Sequence, residues 1–217
     1  KPLGEVGPVV AAGGIFAYAR KVGMMPKLVG IAYFNECKKG AEEAAQELGI
    51  DLTFDGPAKA DVELQTQMIM EWIALGYDVI AVSPNDPDVI APALKRARAA
   101  GITVITWDAD ANPALSERIA FVNQCRTKQI GDTLVDLMVD AAGPKGKALI
   151  VSGSATSPNQ NAWMKAMRHR VVEKYPDLEL LDPLMPDEDQ NRARQMTIDA
   201  LTAHPDLVGI FGITSVA

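Results

Sequence analysis

Short runs of β-branched and aliphatic residues alternate with longer amphipathic stretches along most of the 217-residue chain. The runs at 21–26, 51–54, 79–82 and 103–106 read as strands, each bounded by turn-forming or polar residues. Helical spacing predicts a helix over 36–48, with Ala41, Ala44, Ala45 and Leu48 on one face. A second is expected over 62–75, with Val62, Ile69, Trp72 and Ile73 inward. A third runs to about Ala100, with Asp86 as its N-cap and Pro87 in its first turn. Gly49, Gly76 and Gly101 close these helices where the chain must leave the right-handed region. The pattern loosens after Asp108, through Ala111-Asn112-Pro113, and gives a short strand at 119–122. A new cycle follows, beginning with a helix over 128–142 that has Ile130, Leu134, Leu137, Met138 and Ala141 inward. Strands at 147–151, 178–181 and 208–211 then alternate with helices at 160–174 and 190–203. Alternation of this kind builds parallel sheets from βαβ units.

The expected fold is therefore α/β, with two doubly wound parallel-sheet lobes over 21–122 and 123–217. The second lobe reads as incomplete, because three strands and the two helices between them leave a sheet edge or face uncovered. Residues 1–20 stand apart. Their apolar stretch, PVVAAGGIFAYA at 8–19, is too short and Gly-rich to span a bilayer. It ends Ala17-Tyr18-Ala19, so it reads either as the tail of a secretory signal or as a plain N-terminal arm.

Composition narrows the chemistry. Hydrophobic residues at 48% and charged residues at 23% suit an ordinary globular protein, and a net charge of −7 disfavours a nucleic-acid surface. Cys37 and Cys125 lack the spacing of a zinc site and read as two independent buried thiols, with a disulfide between them left open. His169 and His204 are the only histidines, which leaves little for a metal site or a His-dependent triad. No GxGxxG or GxxxxGK[ST] loop occurs, and Ser154 lacks the second glycine of a nucleophile elbow. Paired carboxylates such as Asp108 and Asp110 could bind a metal or do acid–base work, and nothing else in the sequence supports that. No catalytic residue, cofactor or metal is expected.

Ligands of open parallel sheets bind beyond the carboxyl ends of the strands. Four segments fall there: 27–35, 83–86, 107–110 and 152–163. Asp108 directly follows a strand and can accept hydrogen bonds from neighbouring ligand hydroxyls; equally it can cap a turn, and Trp107 can be core. Asn159, Gln160 and Asn161 each offer a donor and an acceptor, although Asn159 alone also suits a helix N-cap. Lys27, at a strand end, is either a donor to a ligand oxygen or plain surface.

Several of these segments carry a family likeness. Pro26-Lys27-Leu28-Val29-Gly30, Asp55-Gly56-Pro57, Pro92-Ala93-Leu94-Lys95-Arg96-Ala97 and Thr106-Trp107-Asp108-Ala109-Asp110 look like autoinducer-2 binders. Asn85-Asp86-Pro87-Asp88, and Ser154-Ala155-Thr156 with Asn159-Gln160-Asn161-Ala162-Trp163, look more like rhamnose binders. From about Val22 to Phe211 the chain thus resembles type I periplasmic sugar-binding proteins of ABC importers, in the branch of those two groups. The resemblance implies a two-lobed clamp that takes a small polyol, autoinducer-2 or a rhamnose-like sugar, in the interlobe cleft and catalyses nothing. It places Lys27, Asp108, Asn159 and Gln160 at ligand-contacting positions; in such a clamp Phe34 or Trp163 would cover an apolar C–H face, and Thr214 is a further candidate contact. It departs from the autoinducer-2 pattern at Asn159, where that group has Asp, and at Gly212 and Thr214, where it has Pro and Ala. Loss of that charge keeps hydroxyl recognition and leaves the identity of the ligand open. The implied partner is a membrane permease, the location periplasmic or lipid-anchored, and the complete protein a monomer. Family members continue well past Ala217. The rival readings are a ligand-sensing domain of a receptor or regulator with this fold, a sugar-modifying enzyme, and a nonfunctional truncated product.

Overall fold

The computed structural model describes residues 21–217, and the expected signal or arm at 1–20 lies outside the described residues. The chain divides between Val122 and Asn123 into two compact units.

In the first unit, β1 (Lys21–Met25), β2 (Asp51–Phe54), β3 (Val79–Val82), β4 (Thr103–Trp107) and β5 (Ala120–Val122) form one sheet. Its order is β2-β1-β3-β4-β5 and every pairing is parallel. The connections contain α1 (Ala32–Leu48), α2 (Val62–Ala74), α3 (Ala91–Ala99) and a single turn, α4 (Pro113–Ser116). Because strand side chains alternate between faces, Met25, Ile80, Val82 and Val104 join Ile69 and Trp72 of α2 and Leu94 of α3 in one core. On the opposite face Met24, Ala81, Ile105 and Trp107 join Phe34 and Cys37 of α1. All four residues of β3 are buried, as a central parallel strand covered on both faces requires.

Two helix starts differ from expectation. Helix α1 begins at Ala32 behind Ile31, whose side chain makes no capping bond, so the polar cap signal that marks most helix starts is missing. Tyr33 and Phe34 therefore lie in its first turn rather than in a loop. Its buried residues are Phe34 and Ala45, while Ala44 is exposed and Leu48 is 49% exposed. Helix α3 begins at Ala91 with Pro92 in its first turn. Asp86 instead closes the preceding turn, accepting from the N–H groups of Asp88 and Val89 at 2.9 Å each. Gly49, Gly76 and Gly101 have φ of 67°, 68° and 85°, as the expected turns demand.

The second unit holds β6 (Gly146–Val151), β7 (Leu178–Leu180) and β8 (Leu207–Gly212), parallel in the order β7-β6-β8, with α5 (Thr127–Ala142), α6 (Pro158–Lys174) and α7 (Gln190–Ala203). This repeats the β2-β1-β3 order of the first unit. The buried stripe of α5 is rotated from the expected one. Gly131 and Val135 are buried, Leu134, Met138 and Val139 pack on the core, and Leu137 and Ala141 are exposed. The cause is the approach of α6: a Cβ on Gly131 would lie 2.5 Å from that of Ala166. The two cysteines are free, as independent thiols, but not buried as expected: Cys37 is half-buried and Cys125 exposed.

Candidate functional site

Sheet growth reverses between β1 and β3, so the carboxyl ends of these two strands flank the switch point where open α/β sheets take ligands. Lys27 follows β1, Ser83 follows β3 and Asp108 follows β4. Their side chains meet. Ser83 Oγ donates to Asp108 Oδ2 at 2.7 Å, and Tyr33 OH donates to Oδ1 at 3.1 Å. Lys27 Nζ lies 4.0 Å from Oδ2, with 4% and 5% of the two side chains exposed. Burying both charges together avoids the several kcal/mol that an isolated buried ion costs.

The backbone at Asp108 is strained. Its φ is 60°, its N–H bonds to the Val122 carbonyl at 3.0 Å, and the Ala109 N–H turns back to the Trp107 carbonyl at 2.6 Å. A non-glycine residue held there costs about 1–3 kcal/mol, and such strain gathers at ligand clamps and active sites. Asp108 thus does shape a turn, but through its backbone; its carboxylate serves Tyr33, Ser83 and Lys27. Trp107 is core, 7% exposed and edge-on to Phe34 at 5.6 Å. Phe34 is also enclosed, edge-on to Tyr33 at 5.0 Å, so Tyr33 rather than Phe34 presents exposed aromatic surface here.

Beneath these groups lies Gln65 of α2, fully buried. Its Nε2 donates to the carbonyls of Pro26 and Ser83 at 3.0 and 2.9 Å, and its Oε1 accepts from the Asn85 N–H at 2.9 Å. Asn85 Nδ2 in turn donates to the Lys27 carbonyl at 2.8 Å. The two loops that carry Lys27 and Ser83 are therefore tied to one amide. Sequence reading missed Gln65, Tyr33 and Ser83 as individual residues. A visible signal existed for the first: Gln65 shares the inward face of Ile69 and Trp72, where an apolar residue is the norm.

Burial, and then the Asp108 charge, push the Tyr33 phenol well above its ordinary range, so it stays a protonated donor. The same two causes raise the Cys37 thiol, which opposes a reactive thiolate. Asp110 does not pair with Asp108. Arg118 grips it with Nε at 2.7 Å and Nη2 at 2.5 Å, and Thr106 Oγ1 donates to it as well. Among the described residues no His, Cys, Asp and Glu group suited to a metal occurs.

In the second unit the corresponding switch point lies between β6 and β8. Ser157, not Asn159, occupies the N-cap of α6. Asn159 Oδ1 accepts from Ser157 Oγ and from the Gln160 N–H, both at 3.0 Å. Gln160 is buried, and its Oε1 accepts from the Gly153 N–H at 3.1 Å. Asn161 Nδ2 donates to the Ala155 carbonyl at 2.8 Å. Thr214, just after β8, donates to Glu188 Oε2 at 2.7 Å. Trp163 packs partly buried on the second core. Of the expected contacts, Lys27 meets Asp108 and Asn159 meets Gln160, while Phe34 and Trp163 stand within or against their cores and Thr214 is held by Glu188.

Comparison with known proteins places this architecture. The periplasmic binding protein domain matches residues 22–217. The ribose import binding protein RbsB of Bacillus subtilis is 23% identical over 194 residues, which cover 88% of this chain and 60% of that protein. A solved ABC transporter solute-binding protein from Clostridium phytofermentas, with bound L-rhamnose, superposes with a TM-score of 0.87 at 30% identity, covering 91% of this chain and 61% of that one. LsrB from Clostridium saccharobutylicum, in complex with AI-2, gives a TM-score of 0.82 at 29% identity, covering 88% and 61%. The chain thus spans about 60% of the length of these relatives. No helix among the described residues is long and apolar enough to cross a membrane. Parallel sheets, polar switch points and a match from Val22 to the last residue lead to one assignment: the chain belongs to the periplasmic binding protein domain family.

Proposed function

We propose that the protein is the solute-binding component of an ABC importer, that it binds a small polyol of the sugar or autoinducer-2 class, and that it performs no catalysis. The observation that carries this reading is the strained, buried Asp108 carboxylate with Lys27 beside it and Tyr33 and Ser83 donating to it. A polyol hydroxyl both donates and accepts, so a fixed acceptor next to a fixed cation suits it, whereas a nucleophile or general base would need a group poised to exchange protons. In this reading Asp108 accepts from ligand hydroxyls and Lys27 donates. Asn159, Gln160 and Thr214 supply further donors and acceptors, and Trp163 covers an apolar C–H face, while Phe34 stays in the core behind Tyr33. The protein would act outside the cytoplasm and deliver its ligand to a membrane permease.

The test is calorimetry of the chain with L-rhamnose, D-ribose and autoinducer-2. At least one binds the wild type, and Asp108→Ala weakens it by about a hundredfold or more, the loss of charge-assisted hydrogen bonds. Equal affinity in the variant removes the proposal.

A further inference from the structure

We infer that Glu188 is a second carboxylate that contacts the ligand and sets which polyol is preferred; this rests on the binding function proposed above. Glu188 lies in the segment before α7, where Asp187 and Glu188 have φ of 55° and 58° in succession. Two adjacent non-glycine residues in the left-handed region are costly, and the surrounding bonds hold them there. The Asp187 N–H donates to the Gly153 carbonyl at 3.0 Å, the Asp189 N–H to the Pro186 carbonyl at 3.2 Å, and Asp189 caps α7 through the Arg192 N–H at 2.9 Å.

The result places a carboxylate across the β6/β8 switch point. Gly153 follows β6 and Thr214 follows β8. Thr214 Oγ1 donates to Glu188 Oε2 at 2.7 Å. The other oxygen lies against Gly153: a Cβ there would come 2.0 Å from Glu188 Oε1 and 2.5 Å from Gln160 Oε1. Only glycine leaves room for both groups to approach the same backbone position. Glu188 is half-buried, so its carboxylate is ordered without being sealed into the core. It therefore stands beside Gln160 and Thr214 as an anchored acceptor at the point where the sheet topology directs a ligand. In the first unit Asp108 is likewise a non-glycine residue at positive φ whose carboxylate accepts a side-chain hydroxyl at the strand ends.

The experiment measures affinities of wild type, Glu188→Gln, Glu188→Asp and Asp108→Asn for L-rhamnose, D-ribose and autoinducer-2, with a thermal melt of each unliganded variant. Glu188→Gln is expected to weaken the preferred ligand roughly ten- to a hundredfold, as loss of a charged acceptor does, and to change the ratio of affinities across the three ligands. A loop tie alone would lower the melting temperature and weaken all ligands by one common factor, and that result overturns the inference. Unchanged affinities in Glu188→Gln alongside loss in Asp108→Asn overturn it while leaving the binding function standing. Absence of binding by the wild type overturns both.

Discussion

Gln65 illustrates how one residue can position a site without touching a ligand. Its amide joins the Pro26 and Ser83 carbonyls to the Asn85 N–H inside the core. Replacing it with leucine keeps the volume but strands three buried backbone groups, each costing about 1–3 kcal/mol when unsatisfied. Gln65→Leu should therefore lose on the order of 3 kcal/mol in urea denaturation. It should also weaken ligand binding, because the loops carrying Lys27 and Ser83 lose their shared anchor. A variant as stable as the wild type would show that these loops are held by other means.

Among the elements, α6 matters most to the second unit, since Asn159 and Gln160 sit in its first turn. Its position is set partly by Gly131 of α5, which lets the helices approach closely, and partly by a polar clamp. Asp136 of α5 accepts from Arg170 Nε at 2.9 Å and Nη2 at 2.5 Å, and from Tyr175 OH at 3.0 Å. The Arg170 hydrogen bonds hold the Asp136 carboxyl below its ordinary range, with Tyr175 and the Arg170 charge acting in the same direction against desolvation. A depressed folded-state pKa adds stability that is present above the unfolded value, near pH 4, and is lost as pH falls through the folded value. Asp136→Asn should accordingly be less stable than the wild type at neutral pH, and the gap should close as pH is lowered below about 4. Thermal melts across that range measure it; a gap that stays constant would assign the clamp no linkage.

At the scale of the whole molecule, binding must appear as stability. A ligand that binds only the folded state adds RT ln(1 + [L]/Kd), or about 2.7 kcal/mol at a hundredfold excess over Kd. Among L-rhamnose, D-ribose and autoinducer-2, the one that calorimetry ranks tightest should therefore raise the melting temperature most at equal concentration. Asp108→Ala should abolish that rise. A ligand that binds in calorimetry yet leaves the melt unchanged would contradict binding to the folded chain. The acidic balance, −7 overall, is compatible with an uncharged ligand, because the proposed binding groups are fixed dipoles and two local carboxylates, one of them paired with Lys27, not a broad field.

The α/β alternation, the strand positions and the Gly-closed helices were legible in the linear chain, because period-2 and period-3.6 burial and positive-φ turns are local properties. Lys27, Asp108, Asn159 and Gln160 fell in strand-end segments that the same local pattern marked, but as individual residues they stood out through the family resemblance, since each had an ordinary structural reading as well. What the linear pattern does not contain is which face each helix turns inward when two faces are similarly apolar. Leu137 and Ala141 of α5 point outward because Gly131 meets α6, a contact between segments far apart in sequence. The start of α1 at Ala32 was hidden for want of a polar cap, and that hid Tyr33 as a donor to Asp108. Gln65 was visible as a polar residue on an apolar face, but its partners, and the role of Glu188, came from tertiary structure, which closed long separations and, at Glu188, set a positive φ. Local chemistry is written in neighbouring residues, whereas convergence of distant ones depends on packing.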